Sequence, residues 1–218
     1  MSSDVVRRLR RLDGCALSDA MDRLGLSGVV TGLPQRSGEG RIAGRAVTMK
    51  VGPGTPPPGP PIHLGCTAIA TADADCVIVI EQRSGVEAGC WGGLLSLGAK
   101  QRGVAGVIAD GPVRDVDEAR ALGFPVWARS LTARTARGRV VELGNQVPVT
   151  VGEAVVNPGD YVFADGSAVV VIAAADVGRV LEVAETIVAR EAAMAKAILA
   201  GTPIGRVMGG DYEHMLKG

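Results

Sequence analysis

An arginine and an aspartate stand side by side, Arg114-Asp115, at the end of the apolar run Val104-Ala105-Gly106-Val107-Ile108-Ala109-Asp110-Gly111-Pro112-Val113. Open α/β sheets bind ligands in the crevice where their strands end. A guanidinium there suits an anionic substrate, and the neighbouring carboxylate suits a hard cation. The same residues also suit a structural ion pair at the start of the next helix, with Asp115 at its N-terminus and Asp117 and Glu118 in its first turn. A second motif upstream, Cys90-Trp91-Gly92-Gly93-Leu94-Leu95, favours chemistry. Glycines at a helix start let a ligand approach the first free backbone N–H groups, where the helix dipole favours an anion. A substrate carboxylate is therefore expected on the amides of Leu94 and Leu95, approached over Gly92 and Gly93, with Arg114 reaching a neighbouring oxygen. Tight helix packing is the other use of such a glycine pair.

The elements that must position these groups follow from apolar spacing. Val5, Leu9 and Leu12, then Ala16, Leu17, Ala20, Met21 and Leu24, recur at helical intervals, with Ser18-Asp19 expected to cap a second helix that Gly25 ends. A strand over 41–51 runs into Gly52-Pro53-Gly54-Thr55-Pro56-Pro57-Pro58-Gly59-Pro60-Pro61, which lacks consecutive backbone donors and so reads as a polyproline-like surface loop within one domain. From residue 62 helices and strands alternate: helix 62–72, strand 76–80, helix 94–102, strand 104–109, helix to Leu122, and a strand from Phe124. That alternation indicates crossover units and a largely parallel sheet. Short β segments follow after Thr135, and a long helix, about 175–200, closes the pattern. No Gly-rich phosphate signature follows a strand, so nucleotide cofactors are not indicated.

Bulk composition narrows the function classes. Lys plus Arg equals Asp plus Glu at 23 each in 218 residues, so there is no basic field for nucleic acid and no net charge to oppose self-association. Apolar residues make up 47% of the chain with only two each of Trp, Tyr and Phe, a core of Val, Ala, Leu and Ile suited to strands covered by helices. Cys15, Cys66, Cys76 and Cys90 form none of the close pairs of a zinc site. No leader or membrane-length apolar run is present, and a cytoplasmic setting is expected.

With the two motifs at this separation, together with Leu17-Ser18-Asp19-Ala20-Met21-Asp22, Leu122-Gly123-Phe124-Pro125-Val126 and Asn157-Pro158-Gly159-Asp160-Tyr161-Val162, the chain resembles the RraA-like family. That family includes the class II 4-hydroxy-4-methyl-2-oxoglutarate and 4-carboxy-4-hydroxy-2-oxoadipate aldolases. The likeness covers nearly all of residues 1–218, the loop at 52–61 being the main irregular patch. It implies a single α/β domain with a mixed sheet flanked by helices, of the swivelling β/β/α type. It also implies a homotrimer or a hexamer of two trimers, with active sites between subunits and the terminal helix and tail (175–218) at the interface.

The chemistry implied is that of a lyase using Mg2+ or Mn2+ on a 2-oxo acid. By that resemblance Asp115 ligates the metal, Arg114 contacts the 2-oxo oxygen and steadies a pyruvate enolate, and Leu94 and Leu95 hold the carboxylate. A metal-bound water acts as base, oriented by Glu191 from the neighbouring subunit's terminal helix. One departure stands out. The aldolases resemble an acid, twenty residues, then Arg-Asp, and the corresponding position here is Gly93. Glu87, on the preceding loop, is a possible substitute. The expected function is retro-aldol cleavage of a 4-hydroxy-2-oxo acid, oxaloacetate decarboxylation, or both. The alternatives are a non-catalytic regulator that binds a protein partner, and a pathway enzyme using the pocket for another enolisation.

Other candidates are weaker. His63 and His214 are too isolated to pair, and Ser84 and Ser96 lack a partnered base. Arg129, Arg134, Arg137 and Arg139 form a basic cluster read as a solvated rim, with a role in drawing in carboxylates as the other reading. The segment Met208–Leu216 reads as a tail that docks on a neighbour.

Overall fold

The computed structural model describes residues 2–56, 58, 59 and 62–209. In chain order the first elements are α1 (Ser2–Leu9), α2 (Gly14–Arg23), β1 (Val29–Val30), β2 (Gln35–Ser37), β3 (Ile42–Gly52), α3 (Cys66–Thr71) and β4 (Cys76–Glu81). Then come α4 (Gly93–Gln101), β5 (Gly106–Val113), α5 (Val116–Leu122), β6 (Val126–Leu131), β7 (Val141–Asn145), β8 (Val149–Val151) and β9 (Ala154–Val156). β10 (Tyr161–Ala164), β11 (Val169–Ile172), α6 (Val177–Leu199) and α7 (Ile204–Val207) complete the chain.

The β-branched runs form a parallel centre, β3-β4-β5-β6, as expected for strands buried on both faces. Antiparallel strands extend it to nine: β10, β11 and β1 beyond β3, β2 beyond β6, and β7 along the end of β3. Alternation along the strands separates two faces. On one face Val47, Ile78, Ile80 and Ala109 pack beneath α3, α4 and α5, while Phe163, Val170 and Ile172 pack beneath α1, α2 and α6. On the other, Val79, Ile108 and Trp127 meet the β8–β9 hairpin. The result is a mixed sheet with helices on one side and a small second β layer on the other, the β/β/α arrangement expected.

Several boundaries differ from the sequence reading. The second helix is capped by Asp13, whose side chain accepts from Ala16 N at 2.9 Å, and Ser18 and Asp19 lie inside it. Both starts fit the same apolar period, and the Asp13 carboxylate reaches the orphan amides first. β5 continues past Ala109 to Val113, so the Arg-Asp pair follows the strand's last residue directly. The described part of the proline-rich stretch, residues 53–56, 58 and 59, contains no strand. Among the described residues no helix is long and apolar enough to cross a membrane. Residues 210–218, which carry His214 and most of the expected docking tail, lie outside the described residues.

Candidate active site

β4, β5 and β6 end at one edge of the sheet, and β5 slips in register against β6 between Ala109 and Pro112. Two acids that look alike in sequence part here: Ala109 and Val113 belong to the cluster beneath the helices, whereas Ile108 belongs to the one beneath the β8–β9 hairpin, the side that Asp110 faces. Asp110 is buried, its side chain 4% exposed, accepting from Arg129 Nε at 2.7 Å and from Gly152 N at 2.8 Å, with Arg83 Nε at 3.5 Å. It ties β5 to the turn of the β8–β9 hairpin and is structural. Arg129 is therefore no part of a free basic rim, because a buried carboxylate claims it.

Asp115, by contrast, faces the α4 side. The chain at 89–91 runs beside the end of β5, with Cys90 N donating to Pro112 O at 2.9 Å and Arg114 N to Trp91 O at 3.0 Å. Buried Trp91 donates from Nε1 to Ser96 Oγ at 2.9 Å, and that hydroxyl donates to Gly92 O at 3.1 Å, which fixes the first turn of α4. Burial pushes the neighbouring Cys90 thiol up to about 12, so it stays neutral and is no nucleophile.

Onto this turn the two site residues close. Asp115 accepts from Arg114 Nε through Oδ1 at 3.1 Å and from Gly93 N through Oδ2 at 3.1 Å. A Cβ on Gly92 would lie 2.7 Å from Asp115 Oδ2, so only glycine permits this approach. Asp115 adopts a left-handed backbone, φ 53° and ψ 39°, and its side chain does not cap α5 as the structural alternative required. Such a conformation costs of the order of 1 kcal/mol even for Asp and persists where surrounding contacts impose it. Here those contacts are the reach to Gly93 and Arg114.

Gly92 offers no side-chain cap to α4, and Asp115 satisfies only the Gly93 amide. The amides of Leu94 and Leu95 precede the first intrahelical bond, Ser96 N to Gly92 O, and keep the anion-seeking character of a helix start. Leu94 is 87% exposed and Leu95 is buried. Arg114 is partly exposed, and among the described residues its Nη atoms donate no hydrogen bond. Gly92, Gly93, Leu94, Leu95, Arg114 and Asp115 are thus brought together as expected.

One acid was missed in sequence. A Cβ at Gly93 would meet Glu118 Cβ at 3.1 Å and Asp115 Cβ at 3.2 Å, so Glu118 crosses the space that a side chain at 93 would fill. Its only sequence signal was an acidic residue in the first turn of the helix that follows Asp115. Glu87 does not fill that place. It is held on the rim by Thr132 Oγ1 at 3.1 Å and Arg134 Nε at 3.4 Å. Glu191 sits on α6, which packs with α1 and α2 rather than with α4 and α5. Partial burial, then Asp13 and Asp19, raise its carboxyl above the ordinary range.

Among the described residues no three His, Cys, Asp or Glu side chains converge to enclose a metal. A hydrated magnesium-like ion needs only one or two carboxylates. Asp115 supplies one, and each of its oxygens retains a lone pair beyond its present bond, while Glu118 starts from the same side of Gly93. The donor set fits a hard divalent cation.

The family model described as RraA-like, Aldolase/RraA, matches residues 14–171. A Halalkalibacterium halodurans protein, provisionally named as a 4-hydroxy-4-methyl-2-oxoglutarate aldolase, is 28% identical over 197 residues, 89% of each chain. An uncharacterised Pseudomonas syringae structure superposes with a TM-score of 0.84 at 25% identity, covering 96% of this chain and 98% of its own. The Streptomyces coelicolor protein RraAS2, described as an unusual member of the RNase ES inhibitor family, gives 0.73 at 24% identity, covering 84% and 91%. The chain spans only 27% and 58% of the length of two other curated relatives.

Proposed function

The chain belongs to the RraA-like family, and from that premise we propose that it is a divalent-metal-dependent carbon–carbon lyase acting on a 2-oxo acid. One observation carries this reading: Arg114 and Asp115 are locked against the start of α4, beside the open amides of Leu94 and Leu95.

A 2-oxo acid fits that arrangement by charge. Its carboxylate would lie on the Leu94 and Leu95 N–H groups, and the free Nη donors of Arg114 would meet the 2-oxo oxygen. Negative charge collects on that oxygen when the C3–C4 bond of a 4-hydroxy-2-oxo acid breaks, or when oxaloacetate loses carbon dioxide. Both routes leave the enolate of pyruvate. A donor aimed at developing charge contributes about 3–4 kcal/mol to the barrier. Asp115 and Glu118 would hold Mg2+ or Mn2+, which when bound polarises the substrate oxygens and lowers the pKa of its water. Asp115 has a second task, fixing the guanidinium through Oδ1 so that its Nη edge points outward. Glu191, delivered from the terminal helix of a neighbouring subunit in a trimer or a pair of trimers, would orient the water that takes the 4-hydroxyl proton. Its raised affinity for a proton suits that role.

The test is solvent exchange. In deuterium oxide with Mg2+ or Mn2+, proton NMR should show loss of the pyruvate methyl signal, abolished by chelator, by Asp115→Asn and by Glu118→Gln. If neither metal gives exchange above the chelated control, the lyase reading fails and a non-catalytic binding role stands in its place.

A further inference from the structure

Two sequence features have no part in that chemistry: the proline-rich stretch after β3 and the arginines that follow β6. The fold brings them to one cavity of about 760 Å³, between Pro56, Pro58 and Gly59 on one side and the segment from Ala136 into β7 on the other. Its volume lies within the range of sites that enclose a small organic molecule.

The walls are apolar. Ile62 and Leu64 from the approach to α3 line it together with Val140 and Val141, and His63 lies between the first two in sequence. Leu64 and Val140 belong to the same buried cluster as Trp91 and Leu95, so this wall is backed by packed core. The one acid in the lining, Glu142, is already engaged, accepting from Gly65 N at 2.8 Å. Arg137 also lines the cavity, is exposed, and makes no ion pair among the described residues; the same holds for nearby Arg139. Arg134 is matched by Glu87. Two guanidiniums without an ion-pair partner among the described residues, Arg137 in the lining and Arg139 close in sequence, therefore outnumber the single carboxylate of Glu142, which keeps its charge.

We infer that this cavity binds an amphipathic carboxylic acid, its hydrocarbon body among Ile62, Leu64, Val140 and Val141 and its head on the guanidinium of Arg137. Charge complementarity selects the head, since a cation would meet Arg137 and a neutral apolar molecule would leave it unused. The apolar walls select the body, because burying hydrocarbon there removes about 25 cal/mol per Å² from contact with water. This site is separate from the one at α4. None of its lining residues is Gly92, Gly93, Leu94, Leu95, Arg114, Asp115 or Glu118, and the Leu64–Gly65 turn stands between. A Cβ at Gly65 would touch Leu95 Cδ1 at 3.2 Å and Trp91 Cζ3 at 3.3 Å, so the turn packs against side chains at the start of α4. The inference does not rest on the lyase reading.

The probes are 8-anilinonaphthalene-1-sulfonate, decanoate and decan-1-ol, added to the full chain. The fluorescent sulfonate should bind saturably at one site per chain, and decanoate should displace it. Decan-1-ol should compete at least tenfold more weakly, an estimate from the worth of a charge-assisted contact. Arg137→Gln should weaken decanoate by about tenfold and leave decan-1-ol unchanged. Thr67→Trp, which fills the cavity from an exposed position on α3, should block all three. Both positions are exposed, and an unchanged thermal melt certifies the fold. Saturable binding that survives Thr67→Trp overturns the assignment, as does equal affinity for the acid and the alcohol. Absence of binding also overturns it, and a fall in sedimentation coefficient on Thr67→Trp would then give the cavity to a second copy of this chain.

Discussion

Replacing Gly92 by alanine isolates the contact on which the site depends. The Gly92 backbone, φ −157° and ψ −173°, is extended and open to any residue, so the whole effect is steric. The new Cβ would stand 2.7 Å from Asp115 Oδ2, where ordinary contact begins at 3.4 Å, and Arg114 Cγ lies at 3.4 Å on the same side. The carboxylate must retreat by about 0.7 Å. Retreat along the bond to Gly93 N would stretch it from 3.1 Å to about 3.8 Å, beyond a hydrogen bond. Asp115 is about a third exposed, so the lower end of the range for a charged hydrogen bond applies, about 1.5 kcal/mol. Alanine in place of glycine at a helix N-cap adds roughly 0.5 kcal/mol. About 2 kcal/mol in a chain of this length lowers Tm by roughly 4–8 °C. The catalytic loss should be larger, because displacing a reacting group by most of an ångström costs up to about a hundredfold. Metal-dependent exchange of pyruvate methyl protons, followed by NMR, should fall between roughly ten- and a hundredfold. Gly178→Ala, at a position with nothing within 4 Å of a new Cβ, is the control and should keep activity with equal or slightly higher Tm. Full exchange activity in Gly92→Ala would refute the proposed role of this contact.

Four further outcomes are expected. Ser96→Ala removes the hydroxyl that accepts from buried Trp91 Nε1 and donates to Gly92 O, and urea unfolding should show a loss of about 1–3 kcal/mol. Asp110→Asn leaves Arg83 and Arg129 without their buried counter-charge and should cost about 3 kcal/mol, with exchange preserved at temperatures where the fold holds. Thiol titration of the native protein at pH 8 should count two fast cysteines, exposed Cys15 and Cys66, and reach four only in denaturant, because Cys76 and Cys90 are buried with raised thiol pKa values. Glu191→Gln should leave stability equal or a few tenths of a kcal/mol higher near pH 7, and the gain should vanish below pH 4. The sign follows from linkage: partial burial, Asp13 and Asp19 raise the folded-state pKa above the ordinary 4.5, so the folded state holds the proton more tightly and the native glutamate loses stability as pH rises through that interval. Thermal melts at pH 4 and pH 7 check it, and a simultaneous fall in exchange would tie Glu191 to catalysis.

The sequence by itself determined the alternation of helices and strands from β3 to β6, the parallel centre of the sheet, and the meeting of Arg114-Asp115 with the glycine start of α4. These are local quantities. Apolar period sets an element's type, and a strand's end sets where chemistry can stand, so Ile78, Ile80 and Ala109 were legible as core and Arg114 as edge. Tertiary structure alone decided which acid does what. Asp110 and Asp115 both follow one apolar run, yet packing buries the first against Arg129 and Gly152 and leaves the second facing Gly93. It also placed Glu118 across the space above Gly93, turning an absent side chain into room for an acid from the next helix. Likewise it joined the proline-rich stretch to Arg137, some eighty residues away, around one cavity. The physical reason is common to all three. A residue's type and neighbours fix its backbone preference, whereas its counter-charge, cap or cavity partner is fixed by strand register and helix packing, which depend on the whole core closing at once.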